Sequence, residues 1–283
     1  MRVLPRATPR ISQAIAFALL WTAALMVILP VTALLVVMFV KGRGSLSWSL
    51  VTSTEAGGLL APIVGTTALV TLTAVIVAPV GVAAAIYLSE YARAGTLVRL
   101  IRLAIVNLAG VPSVVYGLFG LALFVMLLHF GRCLLAGACT MALLVLPLVI
   151  TAAEEALRQV PRRLREASFA LGATRWQTVR RVVLPNALPG IITGLILSVG
   201  RAAGETAPIL FTAAFYSLTD PFPKSLFDPI EVLSYRLFVI ATEVPRIEEG
   251  EKWATAAVLV ALVLGLNALA VIARARLRRA RRW

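Results

Sequence analysis

The chain has 283 residues, of which 60% are hydrophobic and only 14% charged, and its mean hydropathy is +0.93. A soluble domain carries roughly 25% charged residues and about 45–50% apolar ones, so a water-soluble enzyme or binding module is excluded. The formal net charge of +14 raises nucleic acid as a partner, and the distribution of that charge decides against it.

The apolar residues fall into six blocks, roughly 14–40, 61–88, 103–130, 133–153, 186–211 and 253–273. About 20 apolar residues in a helix cross a hydrocarbon core of about 30 Å, so each block predicts a membrane span. The first block outruns the roughly 7–15 residues of a signal-peptide apolar region, which predicts an uncleaved span. The fold class is therefore an all-α integral membrane protein. One transmembrane domain occupies 14–273, between an N-terminal segment 1–13 and a basic tail 274–283.

Charge alternates between the connecting segments. Arg2, Arg6 and Arg10 precede the first block; Arg93, Arg99 and Arg102 stand against Glu90 in 89–102. Segment 154–185 holds seven Arg against three Glu, and the tail holds six Arg. The intervening segments are poorer: Lys41 and Arg43 against Glu55, then Arg132, then four basic and seven acidic residues in 216–252. Six spans with both termini cytoplasmic satisfy the positive-inside rule. The basic tail reads as a juxtamembrane anchor on anionic lipid rather than a nucleic-acid contact.

Pro30, Pro79, Pro112, Pro147 and Pro208 lie within the apolar blocks. Each removes a backbone donor and predicts a kink or an irregular turn. Gly190, Gly194, Gly200 and Gly204 offer places where another helix can approach closely. Cys133 and Cys139 flank the start of the fourth block near the outer face. Either they oxidise there, or they are incidental packing. His129 is the only histidine, so no histidine dyad or His-based metal site can form within the chain. No convergent nucleophile, base and metal ligands argue for a membrane enzyme. In the outer segment 212–252, stretch 229–242 is amphipathic enough for an interfacial or re-entrant helix; the alternative is a solvated loop. An external protein docking there is a further expectation.

The cytoplasmic hairpin at 158–185 is the most informative stretch. Pro161 suits a first helical turn, and Leu164, Ala167, Ser168 and Leu171 recur at helical spacing. Gly172 then suits the residue after a helix end, where positive φ is needed. Thr174 with Gln177 forms a capping-box pattern for a second short helix, with Trp176, Val179 and Val183 on its apolar side and Pro185 as its end. Two short helices joined at a glycine suit the groove of a cytoplasmic partner. A DNA-binding helix-turn-helix does not fit a hairpin tethered to the bilayer at both ends.

The same residues resemble the cytoplasmic signature of ABC importer permeases: Glu-Ala-Ala, three residues, Gly, nine residues, then Ile-x-Leu-Pro. Here the pattern reads Glu166-Ala167-Ser168, Gly172, then Val182-Val183-Leu184-Pro185. Ser168 replaces Ala and Val182 replaces Ile. The resemblance implies a type I importer fold, with this hairpin as the coupling helix seated in a cleft of an ATPase subunit. The chain has three lysines, Lys41, Lys224 and Lys252, and none stands in the glycine-rich phosphate-loop pattern that binds nucleotide. No cofactor is expected on this chain; ATP belongs to a partner subunit.

The stretch GRAAGETAP at 200–208 places Arg201 about 15 residues, or roughly 22 Å, into the fifth block. An arginine inside the bilayer costs about 3 kcal/mol on insertion scales. Glu205 follows four residues later, on the same face of a continuous helix. Two readings stand. The pair is an interhelical clamp, or Arg201 lines a transport path and offers paired donors to an oxyanion. In the second, Glu205 holds Arg201 when the path is empty and Thr206 adds a hydroxyl contact.

RAAGETAPILFTAA, with stretches 85–125 and 173–194, resembles the PstA permease family of the phosphate-specific ABC importer. The likeness extends over roughly 60–275, and the short first outer loop favours this A-type subunit over its C-type sister. It implies a bacterial inner-membrane complex that imports inorganic phosphate. A PstC-like sister permease would complete the path, a PstB-like ATPase dimer would bind inside, and a PstS-like extracytoplasmic protein would deliver phosphate. The alternatives are a permease for phosphonate, sulfate or molybdate, or a membrane signalling subunit that senses transport state.

Overall fold

The computed structural model describes residues 9–54, 57–93, 95–216, 222–244 and 247–279. Arg2, Arg6, Glu55, Asp220, Arg246 and the terminal Arg281 and Arg282, all used in the charge count, lie outside the described residues.

The chain is helical almost throughout. Helix α1 (Pro9–Gly42) leads to the short α2 (Trp48–Thr52). Helix α3 (Leu60–Ile86) ends in a wider π turn, Tyr87–Tyr91. Then come α4 (Thr96–Ala109) and α5 (Ser113–Gly120), the latter extended by a π segment, Leu121–Leu127. Helix α6 (Leu134–Arg158) precedes the hairpin of α7 (Arg162–Ala170) and α8 (Arg175–Thr178). A π turn, Val179–Val183, joins α8 to α9 (Leu184–Ala203), followed by α10 (Ala207–Thr212), α11 (Leu233–Thr242) and α12 (Glu249–Arg279).

Among the described residues five helices are long and apolar enough to cross a membrane, and a sixth crossing results if α4 and α5 count as one. The third expected span, 103–130, is thus not one helix: α4 and α5 meet at 101°. Pro112 supplies the reason. It has no N–H to bond the Leu108 carbonyl, and it pushes Val111 away from helical geometry. The Leu108 carbonyl accepts instead from the Val111 amide at 3.1 Å and from the Tyr116 hydroxyl at 2.9 Å. Such repair by a neighbouring side chain is what a broken helix in an apolar medium requires.

Helix α6 is the central pillar, with two thirds of its most apolar window buried, and it packs against α3 and α9. Small residues allow this. A Cβ on Gly81 of α3 would stand 2.6 Å from Val149, and one on Gly190 of α9 would stand 2.7 Å from Ala156. Gly194 meets Ala152 in the same seam, and Gly200 faces Asn267 of α12, whereas Gly204 has no neighbouring helix close by. The expected close approach through 200 and 204 therefore exists at 200 alone.

Helix α1 is the opposite case. Leu19, Leu20, Trp21 and Met26 are all exposed, and the helix packs chiefly along α12. Apolar surface on every side suits hydrocarbon surroundings. Cys133 and Cys139 are free thiols. Cys133 is buried and caps α6, its Sγ accepting from the Ala136 amide at 3.4 Å, which gives it a packing role.

Candidate functional site

The hairpin forms largely from local signals. The α6 helix ends at Arg158, and Pro161 starts α7 from its N-cap position with extended backbone. Gly172 adopts φ +80°, a conformation costly for residues with a Cβ. Thr174 and Gln177 make the reciprocal capping box: the Gln177 amide donates to Thr174 Oγ1 at 3.3 Å and the Thr174 amide to Gln177 Oε1 at 2.9 Å. Pro185 does not end the second helix, as expected from sequence. It lies in the first turn of α9, where a missing N–H costs little. The wide turn Val179–Val183 carries the helix directly into the membrane span.

The expected apolar face of α7 splits. Ser168 turns inward, and its hydroxyl pairs with that of Thr178 at 2.9 Å, both buried. This is the position where the family pattern has alanine, so the substitution adds a clip between α7 and α8. Leu164, Glu166, Ala167 and Leu171 face outward, Leu171 being 88% exposed, with Trp176 exposed beyond the turn. Val179 and Val183 are buried, and Leu184 packs beside Val183. The hairpin thus has one side seated on the bundle and one apolar side uncovered in this chain. Glu166 lines an open cleft of about 570 Å³ with Ser89, Glu90, Arg158, Arg162, Arg165 and Phe169.

Two ion-pair groups fix the hairpin end, and neither was read from the sequence. Arg165 Nη2 lies 2.7 Å from Glu90 Oε1, and Nε donates to Oε2 at 3.3 Å. Its Nη1 and Nη2 also donate to the carbonyls of Val160 at 2.6 Å and Leu157 at 2.9 Å. Arg102 and Arg158 both reach Glu154 Oε1, at 2.8 and 2.7 Å. Charge counting along the sequence places these residues in two basic segments, 89–102 and 154–185, but does not pair them across the two.

Arg201 stands in the last turn of α9, where a cation complements the helix dipole. Glu205 is not on that helix, contrary to expectation. The chain breaks at Gly204–Thr206 before α10, because Pro208 cannot donate to the Gly204 carbonyl as a continuous helix would require. The two residues still meet: Arg201 Nε lies 3.5 Å from Glu205 Oε1. That is long beside the 2.7–2.9 Å typical of charge-assisted bonds. The Arg201 side chain is 52% exposed and that of Glu205 19%, and the other guanidinium N–H groups have no partner among the described residues. Thr206 caps α10 through its carbonyl, which accepts from the Leu210 amide at 3.0 Å, and it is half-buried beside the pair.

Of the two readings of stretch 229–242, the structure has the helix over Leu233–Thr242, α11, with Leu233, Ser234, Arg236, Val239 and Ile240 buried. It is tied in at both sides. The Leu233 amide donates to Thr66 Oγ1 of α3 at 2.9 Å, and Ser234 Oγ donates to the Glu205 carbonyl at 2.9 Å. Arg236 pairs with Glu231 at 3.0 Å, each 6% exposed, with Tyr216 against the guanidinium. Sequence counting treated this pair as loop charge. Its burial is set by α3, where Gly65 lets the Glu231 backbone approach.

Relatives and solved structures agree with this arrangement. The chain is 35% identical over 258 residues to a probable ABC transporter permease protein, YqgI, of Bacillus subtilis, covering 84% of this chain and 87% of that one. It is 35% identical over 270 residues to the phosphate transport system permease protein PstA of Mycobacterium leprae, covering 91% and 87%. A chain of the inward-facing MetNI methionine ABC transporter superposes with a TM-score of 0.64 at 18% identity, covering 77% of this chain and 95% of that one. The fold is that of a type I ABC importer permease. Residues 77–283 match the model of the binding-protein-dependent transport system inner membrane component family, and the chain belongs to that family.

Proposed function

We propose that this chain is the PstA-type permease subunit of an ATP-driven importer of inorganic phosphate in a bacterial inner membrane. The observation that carries the reading is Arg201: a half-exposed guanidinium at a break in an apolar span, held by one long contact to Glu205. Such a group has donors to offer, and a tetrahedral oxyanion accepts paired N–H bonds from it. Resemblance to permeases named for phosphate transport makes phosphate the oxyanion of choice.

In this reading Arg201 contacts phosphate, Glu205 holds the guanidinium between cargoes, and Thr206 adds a hydroxyl. The uncovered side of the hairpin, with Glu166, Ala167 and Leu171, docks on an ATPase subunit. Ser168, Gly172, Leu184 and Pro185 hold its shape. A PstC-like sister permease completes the path, a PstB-like ATPase dimer supplies the work, and a PstS-like protein delivers phosphate outside. Both termini lie in the cytoplasm. The chain itself binds no cofactor.

The test is uptake of labelled phosphate by proteoliposomes holding the full complex, with sulfate, molybdate and phosphonate as competitors. Phosphate uptake that unlabelled phosphate alone suppresses is the expected result. Suppression by another of these anions at equal concentration assigns that anion instead.

A further inference from the structure

Helix α3 touches both regions described above, one at each end. Its hairpin end finishes in the wide turn Tyr87–Tyr91, where Glu90 meets Arg165 of α7 through two contacts, 2.7 and 3.3 Å. Both side chains are mostly buried, Arg165 16% and Glu90 12% exposed. The same guanidinium binds the Leu157 and Val160 carbonyls, at the C-terminal end of α6, where such groups lack helical partners and the dipole is negative. One arginine thus joins α7, α6 and α3. At the opposite end of α3, Thr66 Oγ1 accepts from the Leu233 amide, and the next residue, Ser234, holds the Glu205 carbonyl beside Arg201. From Thr66 to Glu90 the helix spans about 36 Å.

We propose that α3 is the connecting rod between the docking hairpin and Arg201, with Glu90–Arg165 as its joint at one end and Thr66–Leu233 at the other. Movement of α7 pulls on Glu90, α3 shifts along its seam with α6, and α11 carries that shift to Glu205. The wide turn at Tyr87–Tyr91 supplies local give, since π turns mark places where helices change pitch. Glu90, Arg165 and Thr66 are positioning residues: none of them touches the anion. The inference rests on the reading of α7 as the partner-docking element.

The experiment measures anion uptake per ATP hydrolysed in proteoliposomes of the full complex. Glu90→Gln and Thr66→Val keep side-chain volume; the first removes the charge and one of the two oxygens that meet Arg165, and the second removes the hydroxyl that accepts from Leu233. Each lowers the ratio about tenfold, the scale of one lost hydrogen bond to a charged or buried group, and ATP hydrolysis continues. Because both joints belong to one rod, the double variant falls no further than the worse single one. Thr66→Ser, which keeps the hydroxyl, restores the wild-type ratio. Lys41→Gln breaks an ion pair between α1 and α12, Lys41–Glu249 at 3.6 Å, that touches neither joint, and leaves the ratio unchanged.

A ratio within about twofold of wild type in Glu90→Gln overturns the proposal, as does a multiplicative double variant. An equal fall in Lys41→Gln, or loss of copurifying ATPase subunit in place of lost coupling, also overturns it. The ratio is measured with whichever anion the wild-type complex moves. A wild-type complex indifferent to phosphate therefore refutes the phosphate reading, while the rod is judged on its own ratio.

Discussion

Arg165 and Arg201 are the same side chain used in opposite ways. Arg165 is mostly buried and satisfied four times over, by both oxygens of Glu90 and by two helix-end carbonyls. The Arg201 side chain is 52% exposed and, among the described residues, has a single polar contact, of 3.5 Å. A guanidinium that spends its donors on its own fold is a fastener, because a buried charge is tolerated only when paired and hydrogen-bonded. One that keeps them unspent beside an apolar break is available to a ligand. The difference lies in the backbone: helix ends and a π turn converge on Arg165, whereas the Gly204–Pro208 break leaves Arg201 half-exposed at a helix terminus.

The comparison breaks most visibly at Arg201. Arg201→Ala lowers anion uptake about 100-fold with the complex intact, the equivalent of about 2.7 kcal/mol, from loss of paired charge-assisted bonds. Arg201→Lys falls between, since an ammonium lacks the fork geometry. The hairpin comes next. Gly172→Val forces a β-branched residue to φ +80°, at a cost of about 1–2 kcal/mol. Stimulation of the partner ATPase drops about tenfold, read as ATP hydrolysis with and without transported anion.

Smaller still is the clip between α7 and α8. Ser168→Ala leaves the buried Thr178 hydroxyl unpaired and costs about 1 kcal/mol in the thermal stability of the complex. The double variant Ser168→Ala with Thr178→Val recovers most of that loss. The smallest effect belongs to Glu205→Gln. Its 3.5 Å contact is too long to contribute much, so uptake changes by about threefold or less. A Glu205→Gln loss as large as that of Arg201→Ala would make the pair a structural clamp and erase the contrast with Arg165.

What the sequence carried was local. The capping box at Thr174 and Gln177 and the positive φ of Gly172 each depend on residues within one turn, so their chemistry is written in adjacent letters. Hydropathy located the spans but not their breaks, because it counts side chains and is blind to the missing N–H of Pro112 and Pro208. The prolines pointed to irregularity; only packing decided that α4 and α5 would turn through 101°. Contacts distant in sequence were illegible. Glu90 and Arg165 are 75 residues apart, and Thr66 and Leu233 are 167 apart. Nothing in either local pattern names the partner. Glu231 and Arg236 are close in sequence, yet their burial comes from α3, so composition alone made them look like loop charge.

The most direct measurement asks whether a positive charge at position 201 acts from within the transport path. Arg201→Cys is made in a complex whose Cys133 and Cys139 are replaced by serine and alanine, and is then treated with 2-aminoethyl methanethiosulfonate, which attaches an ammonium. The expected result is uptake that is lost on substitution, partly restored by the reagent, and protected from modification by saturating phosphate. Wild-type uptake by the untreated Arg201→Cys complex, or a thiol that the reagent never reaches, would contradict a substrate role for Arg201.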